Sequence, residues 1–420
     1  MINYKQFDNG LRLVHQEITH INSVSIGVLV GAGSVYENDK NNGISHFIEH
    51  MLFKGTNTKT AQDIVNLIEN FGGKINAYTS KETTVYYTVS LSDNVKDCME
   101  VLSDIYFNST FAQEKMDREK EVVKEEIKMC EDTPDDVCFE LLSEIMYEGH
   151  PLSRAILGTN ESVDGITRED ILEYMTNRYC ADNTVISVVG NITFEDVIKM
   201  VEEYFDANFK NEKSTKIVVK NTKIKPKYSK KIKNIEQSNI CIGFNSLPYD
   251  HDDEFVLQAM TSILGGSMSS RLFQLIREEL GLAYSVYAYP SSYKDNGYIA
   301  IYLGTSPAKA DLAINEVGKL CRNFIKEEIS DEELMRSKAQ LKSAFLMGRE
   351  SSKSVMLTYG KFLLMTDKLF DFDEKIQQID AISKEDIFRV ANNLLKIEEA
   401  SISYVGPDTS SNLFEVLLSI

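Results

Sequence analysis

Hydrophobic and polar positions along the chain follow two rhythms, and each rhythm predicts a kind of element. Short apolar, β-branched runs predict strands at residues 11–15 and 23–29. Apolar residues three and four apart predict helices at 44–54 and 61–71, and longer ones near 94–107, 114–130 and 136–147. Between them, residues 76–91 are β-rich, with Tyr78, Val85, Tyr86, Tyr87 and Val89. The later part repeats the mixture: a strand at 239–244, helices at 253–264 and 269–279, strands at 283–289 and 298–303, then long helices from 307 to 396. Strands and helices interleave, and some strands are close enough in sequence to pair as hairpins. This predicts an α+β fold in which a mainly antiparallel sheet is covered by helices.

The pattern is written twice. Ile166-Thr-Arg-Glu-Asp-Ile171 matches Ile382-Ser-Lys-Glu-Asp-Ile387, and each opens with a Ser/Thr-x-x-Asp helix start. Each is followed by a strand, at 185–190 and at 400–406, and both features are offset by 216 positions. Two features held at one spacing predict a duplicated domain. Between 210 and 233 stand ten lysines, one acid (Glu212) and Pro226, which read as a solvated linker. The expected organisation is residues 1–212 as one domain, 213–233 as a basic linker and 234–420 as its homologue.

Length and composition fit this picture. A chain of 420 residues is long enough for two or three domains, and 43% apolar residues supply their cores. The formal charge of −19 makes nucleic acid an unfavourable partner. The most apolar early stretch, 24–33, is ten residues long, against the roughly 20 of a membrane span. No basic segment followed by an apolar run marks the first ten residues as a secretory signal. The six cysteines are scattered without a CxxC pair and read as thiols in a reducing compartment. A cytoplasmic protein without membrane association is expected.

The chemistry concentrates in His46-Phe-Ile-Glu49-His50. On a helix, His46 and His50 lie one turn apart on one face, so two imidazoles can grip one ion at roughly 2.0–2.1 Å. Glu49 lies close to that face, within reach of a metal-bound water. Only six histidines occur in the chain, and the flanking Ile44, Phe47, Ile48, Met51, Leu52 and Phe53 predict a largely buried helix. Buried imidazoles and a buried carboxylate are costly unless paired or bound to metal.

A tetrahedral zinc needs a third protein ligand, and the helix around 117–130 offers one. Its expected inward stripe is Glu119, Val122, Val123, Glu126, Ile127 and Cys130, with Glu121, Lys124, Glu125 and Lys128 toward water. Phase therefore selects Glu126 over Glu125 as the ligand. Glu119, two turns earlier on the same face, suits a supporting or proton-transfer role.

His46-x-x-Glu49-His50 with Glu126 a further 76 residues on resembles the inverted-zincin peptidases. That is the pitrilysin and insulin-degrading enzyme family, and within it the mitochondrial processing peptidase-like bacterial branch. The likeness covers nearly the whole chain. Gly43-Ile-Ser-His-Phe-Ile-Glu-His-Met-Leu-Phe-Lys-Gly-Thr56 is similar to the family's metal helix, and Glu119-x-x-Val-Val-x-x-Glu126 to its third-ligand helix. Phe71-Gly-Gly-Lys-Ile-Asn-Ala77 resembles the strand that holds the substrate backbone, which implies Asn76 and Ala77 as substrate-binding residues. Arg277-Glu-Glu-Leu-Gly-Leu-Ala-Tyr284 is similar to the arginine–tyrosine element of the second half. The resemblance implies two domains facing as a clamshell, and a homodimer. Gly265-Gly266 is too short to be the glycine-rich loop of the non-catalytic processing-peptidase subunit, which favours the catalytic type. No histidine follows His251, so the second domain cannot repeat the two-histidine site, and one zinc per chain is expected.

These readings make the chain a zinc metalloendopeptidase acting on peptides or unfolded polypeptide. Glu49 is the general base, Glu119 and Tyr284 assist catalysis, and Arg277 and Tyr284 hold substrate. Two other readings stand beside it. One is a catalytically silent peptide-binding or assembly subunit of the same fold. The other is a purely structural zinc, which Glu49 argues against because such a site needs no base.

Overall fold

The structure, a computed structural model, describes residues 2–209, 213–215, 217, 219, 222, 224–409 and 411–419. The first half runs β1 (Ile2–Gln6), β2 (Arg12–Glu17), β3 (Ser23–Val30), α1 (Ile44–Leu52), α2 (Ala61–Glu69), β4 (Lys74–Thr79) and β5 (Thr84–Leu91). It continues through α3 (Val95–Asn108), α4 (Gln113–Asp132), α5 (Pro134–Met146), α6 (Asn160–Gly165), α7 (Arg168–Arg178), β6 (Thr184–Gly190) and α8 (Phe194–Tyr204). The second half runs β7 (Tyr228–Ile232), β8 (Ser238–Asn245), α9 (Glu254–Gly265), β9 (Ala283–Ser292), β10 (Gly297–Thr305) and α10 (Ala310–Phe324). It ends with α11 (Asp331–Arg349), α12 (Ser352–Thr366), α13 (Phe372–Ala381), α14 (Lys384–Leu394), β11 (Ser401–Gly406) and α15 (Leu413–Leu418).

Each half builds one mixed sheet covered by helices. The strand order is β1-β2-β6-β3-β5-β4 in the first and β7-β11-β8-β10-β9 in the second. All neighbours are antiparallel except one pair in each sheet, β2–β6 and β7–β11. The repeated helix starts are capping boxes in both halves, Thr167 with Asp170 and Ser383 with Asp386. The repeated strands that follow, β6 and β11, occupy equivalent interior positions.

The compact units are not the two contiguous stretches. One comprises Met1–Ile127, Arg154–Val218 and Met347–Phe370, and the other Lys128–Ser153, Val219–Leu346 and Asp371–Ile420. The halves exchange a helix, so α12 packs on the first sheet and α5 on the second. The strands explain why a helix is needed there. In β3, Val24, Ile26, Val28 and Val30 enter one core, while Ser25, Gly27 and Leu29 point to the other face. That second face carries α12: Ser25 Oγ lies 2.9 Å from Ser352 Oγ, and Ser187 Oγ donates to Met356 O at 2.7 Å. The second unit repeats the device, with Ser403 Oγ donating to Cys138 O of α5 at 2.7 Å. Ser187 and Ser403 stand at the same place in the two copies of the repeat.

Other sequence expectations need correction as well. Tyr228–Ile232, expected within the linker, is an edge strand parallel to β11, because its backbone completes that sheet's ladder. Of the linker lysines, 210, 216, 220 and 223 lie outside the described residues. Val122, expected in the buried stripe of α4, is 45% exposed, whereas Met116, Glu119, Val123 and Ile127 are buried. At about 100° per residue, Val122 lies about 100° from the centre of that stripe. Among the described residues no helix is long and apolar enough to cross a membrane.

Candidate metal and catalytic site

The site is built on α1, and α1 starts without a conventional cap. Gly43 stands at its N-cap with φ 93, a left-handed conformation that suits glycine, and a Cβ there would meet Leu157 O at 2.6 Å. No side chain at Gly43 can accept from the first turn, so the acceptor comes from elsewhere. Glu37, 5% exposed, takes Gly43 N at 2.7 Å, Ser45 N at 2.9 Å and Asn42 Nδ2 at 2.8 Å. Burial raises the Glu37 pKa, and these donors oppose the rise. Sequence reasoning missed Glu37, although a glycine at an N-cap position signals that a distant acceptor is needed.

Ile44, Phe47, Ile48, Met51 and Leu52 bury the inner face of α1, which fixes the other face with His46, Glu49 and His50. Opposite them, α4 presents Glu126, half-buried, beside the exposed Glu125. The Nε2 atoms of His46 and His50 lie 3.7 and 3.6 Å from the same oxygen, Glu126 Oε2. Ligand atoms of these three residues all lie within 4.8 Å of one another.

His50 Nδ1 is 2.8 Å from Glu119 Oε1, and Lys54 Nζ is 2.8 Å from Glu119 Oε2. Glu119 is thus a buried carboxylate bridging His50 in the last turn of α1 and Lys54, two residues beyond its end. Burial alone would raise its pKa, but the hydrogen bonds from His50 and Lys54 lower it overall. For His50, burial pulls the pKa down, and Glu119, Glu126 and Glu49 together raise it. His46 is pushed down to about 3, first by burial and then by the neighbouring His50, so its imidazole is neutral at physiological pH. Glu49 is raised by burial, opposed by the hydroxyl of Thr79, which donates to Oε2 at 2.6 Å. Lys54 and Thr79 were not singled out from the sequence.

Asn76 and Ala77 lie on β4, which ends the first sheet and leaves one strand edge without a strand partner among the described residues. Asn76 Oδ1 accepts from Ala77 N at 2.8 Å. Arg277 and Tyr284 belong to the second unit. Expected as part of an ordinary helix, Arg277 instead sits in a π-helical segment, Phe273–Glu279. Its guanidinium lies 4.6 Å from the Phe273 ring and 4.8 Å from the Tyr284 ring. Tyr284 is the extra residue of a β-bulge between Ala283 and Ser285 opposite Gly304 and Thr305, and is 74% exposed.

Comparison with known proteins bears on both halves. A model of the insulinase family, peptidase family M16, matches residues 12–160, and a model of the peptidase M16 inactive domain matches residues 165–341. A Bacillus subtilis protein named uncharacterized zinc protease YmxG is 39% identical over 97% of this chain and 98% of its own. The yeast mitochondrial-processing peptidase subunit beta is 32% identical over 95% of this chain and 89% of its own. That subunit name gives no support to the homodimer expected from the resemblance. Among solved structures, a protease from Helicobacter pylori superposes with a TM-score of 0.90 over 97% of this chain and 99% of that one, at 22% identity. The two-unit fold is shared at that level.

Proposed function

We propose, since the chain belongs to peptidase family M16, that it is a zinc-dependent endopeptidase cleaving peptides or unfolded protein segments. The observation that carries this reading is the convergence of His46, His50 and Glu126 beside Glu49. The donor set suits zinc. Two imidazole nitrogens and one carboxylate oxygen form a common catalytic ligand set. Their separations of 3.6 and 3.7 Å compare with the ~3.4 Å edge of a tetrahedron with ~2.0–2.1 Å arms. Zinc held there supplies Lewis acidity, which polarises a scissile carbonyl and makes water more acidic.

The residues of the chain do the rest. Glu119 accepts from His50 Nδ1 and so directs His50 Nε2 toward Glu126. Glu49 takes a proton from the attacking water on its carboxylate and returns it to the leaving amine nitrogen. The free edge of β4 at Asn76 and Ala77 suits an extended peptide added as a further strand, recognised by its backbone. Arg277 and Tyr284 are proposed to hold substrate from the second unit, and the Tyr284 hydroxyl to stabilise the developing oxyanion.

A silent peptide-binding subunit is the second reading. The inactive-domain match favours it only for the second half, where the two-histidine motif is lacking. Glu49→Gln tests the choice. Cleavage of an unstructured peptide library, followed by mass spectrometry, should be abolished while zinc content and peptide binding persist. Unchanged cleavage in Glu49→Gln would overturn the enzyme reading.

A further inference from the structure

We infer that Thr79 is a positioning residue for Glu49, a hydroxyl that fixes one oxygen of the base and ties it to strand β4. The inference rests on the peptidase reading and adds a residue to it. Thr79 is the last residue of β4 and pairs with Thr84 of β5. Its hydroxyl has a single hydrogen and two possible acceptors, Glu49 Oε2 at 2.6 Å and Thr84 Oγ1 at 3.4 Å. Thr84 Oγ1 donates its own hydrogen to Ala32 O at 3.0 Å, so it can only accept from Thr79. The shorter contact, to an acidic group, takes the hydrogen. Its length falls in the range of about 2.5–2.7 Å typical of O–H···O⁻ bonds.

This bond does two things. A glutamate side chain has many rotamers, and anchoring Oε2 removes much of that freedom before substrate arrives. It also leaves Oε1 as the oxygen able to receive a proton. The anchor is not on the metal helix but on the edge strand. Ala77 and Thr79 are two residues apart and share one face of β4, next to the unpaired edge. A peptide lying along that edge therefore bears on the same strand that holds the base, and peptide docking and base alignment become one mechanical unit.

The test replaces Thr79 by Val, Ala and Ser in the full-length, zinc-loaded protein. Thr79→Val and Thr79→Ala should lower kcat about tenfold with KM within about twofold, since the base stays but loses alignment. Thr79→Ser, which keeps the hydroxyl, should restore most of kcat. Zinc stoichiometry and melting temperature should match wild type in all three. Wild-type kcat in both Val and Ala variants overturns the inference. So does a Ser variant as slow as Val, or a loss of zinc in the hydroxyl-free variants. Glu49→Gln in the same assay separates the levels: if it is inactive while Thr79→Val is unaffected, only Thr79 is misassigned. If Glu49→Gln is active, the peptidase reading itself fails.

Discussion

Glu119 Oε1 lies 2.8 Å from His50 Nδ1, and this contact decides which histidine nitrogen is left for a metal. With Nδ1 engaged, Nε2 is the one that faces Glu126. His46 has no such support, because its Nδ1 is buried without a hydrogen-bond partner among the described residues. The two histidines of one motif are therefore held in different ways, one by a carboxylate and one by packing.

Zinc affinity should rank three glutamates on α4. Glu126→Gln should remove most of the bound zinc, and Glu119→Gln should weaken affinity about 10- to 100-fold, as loss of a supporting carboxylate does. Glu125→Gln, on the exposed side, should leave it unchanged. Elemental analysis with chelator competition checks the order, and equal losses at 125 and 126 would contradict the observed helix phase.

Tyr284→Phe should isolate one hydroxyl. The substitution keeps the ring against Arg277 and deletes only an exposed group, so melting temperature and zinc content should not move. If that hydroxyl serves as an oxyanion donor, kcat should fall roughly 10²–10³-fold. Steady-state kinetics on a single peptide decide it, and near-normal turnover removes Tyr284 from the mechanism.

The exchange of α5 and α12 predicts how the chain can be cut. A fragment 1–212 lacks α12 and leaves Ser25, Gly27, Leu29 and Ser187 uncovered, so alone it should be aggregation-prone and inactive. Co-expressed with 213–420, each fragment can supply the helix the other lacks. Size exclusion followed by a cleavage assay tests this, and an active, monodisperse fragment 1–212 would refute it.

His15 should make the first unit acid-sensitive. The ring is fully buried, stacks on Phe194, donates from Nε2 to Ile192 O at 3.0 Å and accepts at Nδ1 from Asn3 Nδ2 at 3.2 Å. Burial, outweighing the Ile192 bond, pushes its pKa down from 6.5 to about 4. The unfolded chain therefore binds this proton first. Stability is fully present above pH 6.5 and is lost progressively between pH 6.5 and 4, up to about 3 kcal/mol. His15→Phe should flatten the fall in melting temperature between pH 7 and 5, and an unchanged slope would clear His15 of the effect.

How far the sequence carried this picture can be seen residue by residue. The helical period separated Glu126 from Glu125 because both lie on one regular helix with a clear apolar face. The same period misplaced Val122, since a stripe drawn through every i+3 and i+4 position is wider than the face that packs. The capping boxes at Thr167 and Ser383 were legible because a cap is local in sequence. The partner of a strand face is not local. β3 and β8 read as buried runs, but nothing in them says that the covering helix comes from the other half of the chain. Ser187 and Ser403, hydroxyls in the middle of apolar strands, were the available hint. β7 was hidden because an edge strand needs little apolar character, and its lysines read as linker.

The exchanged helices also set a timetable for biosynthesis. The strands of the first sheet are all within the first 190 residues, yet its second face stays open until α12, ending at Thr366, has left the ribosome. At about 5–20 residues per second, the wait from residue 190 to residue 366 is roughly 10–35 s. The second unit waits longer still, because β11 must be inserted between β7 and β8 before its sheet is continuous. A nascent chain of this fold thus carries an uncovered apolar sheet face through much of its translation, and both units complete only near its end.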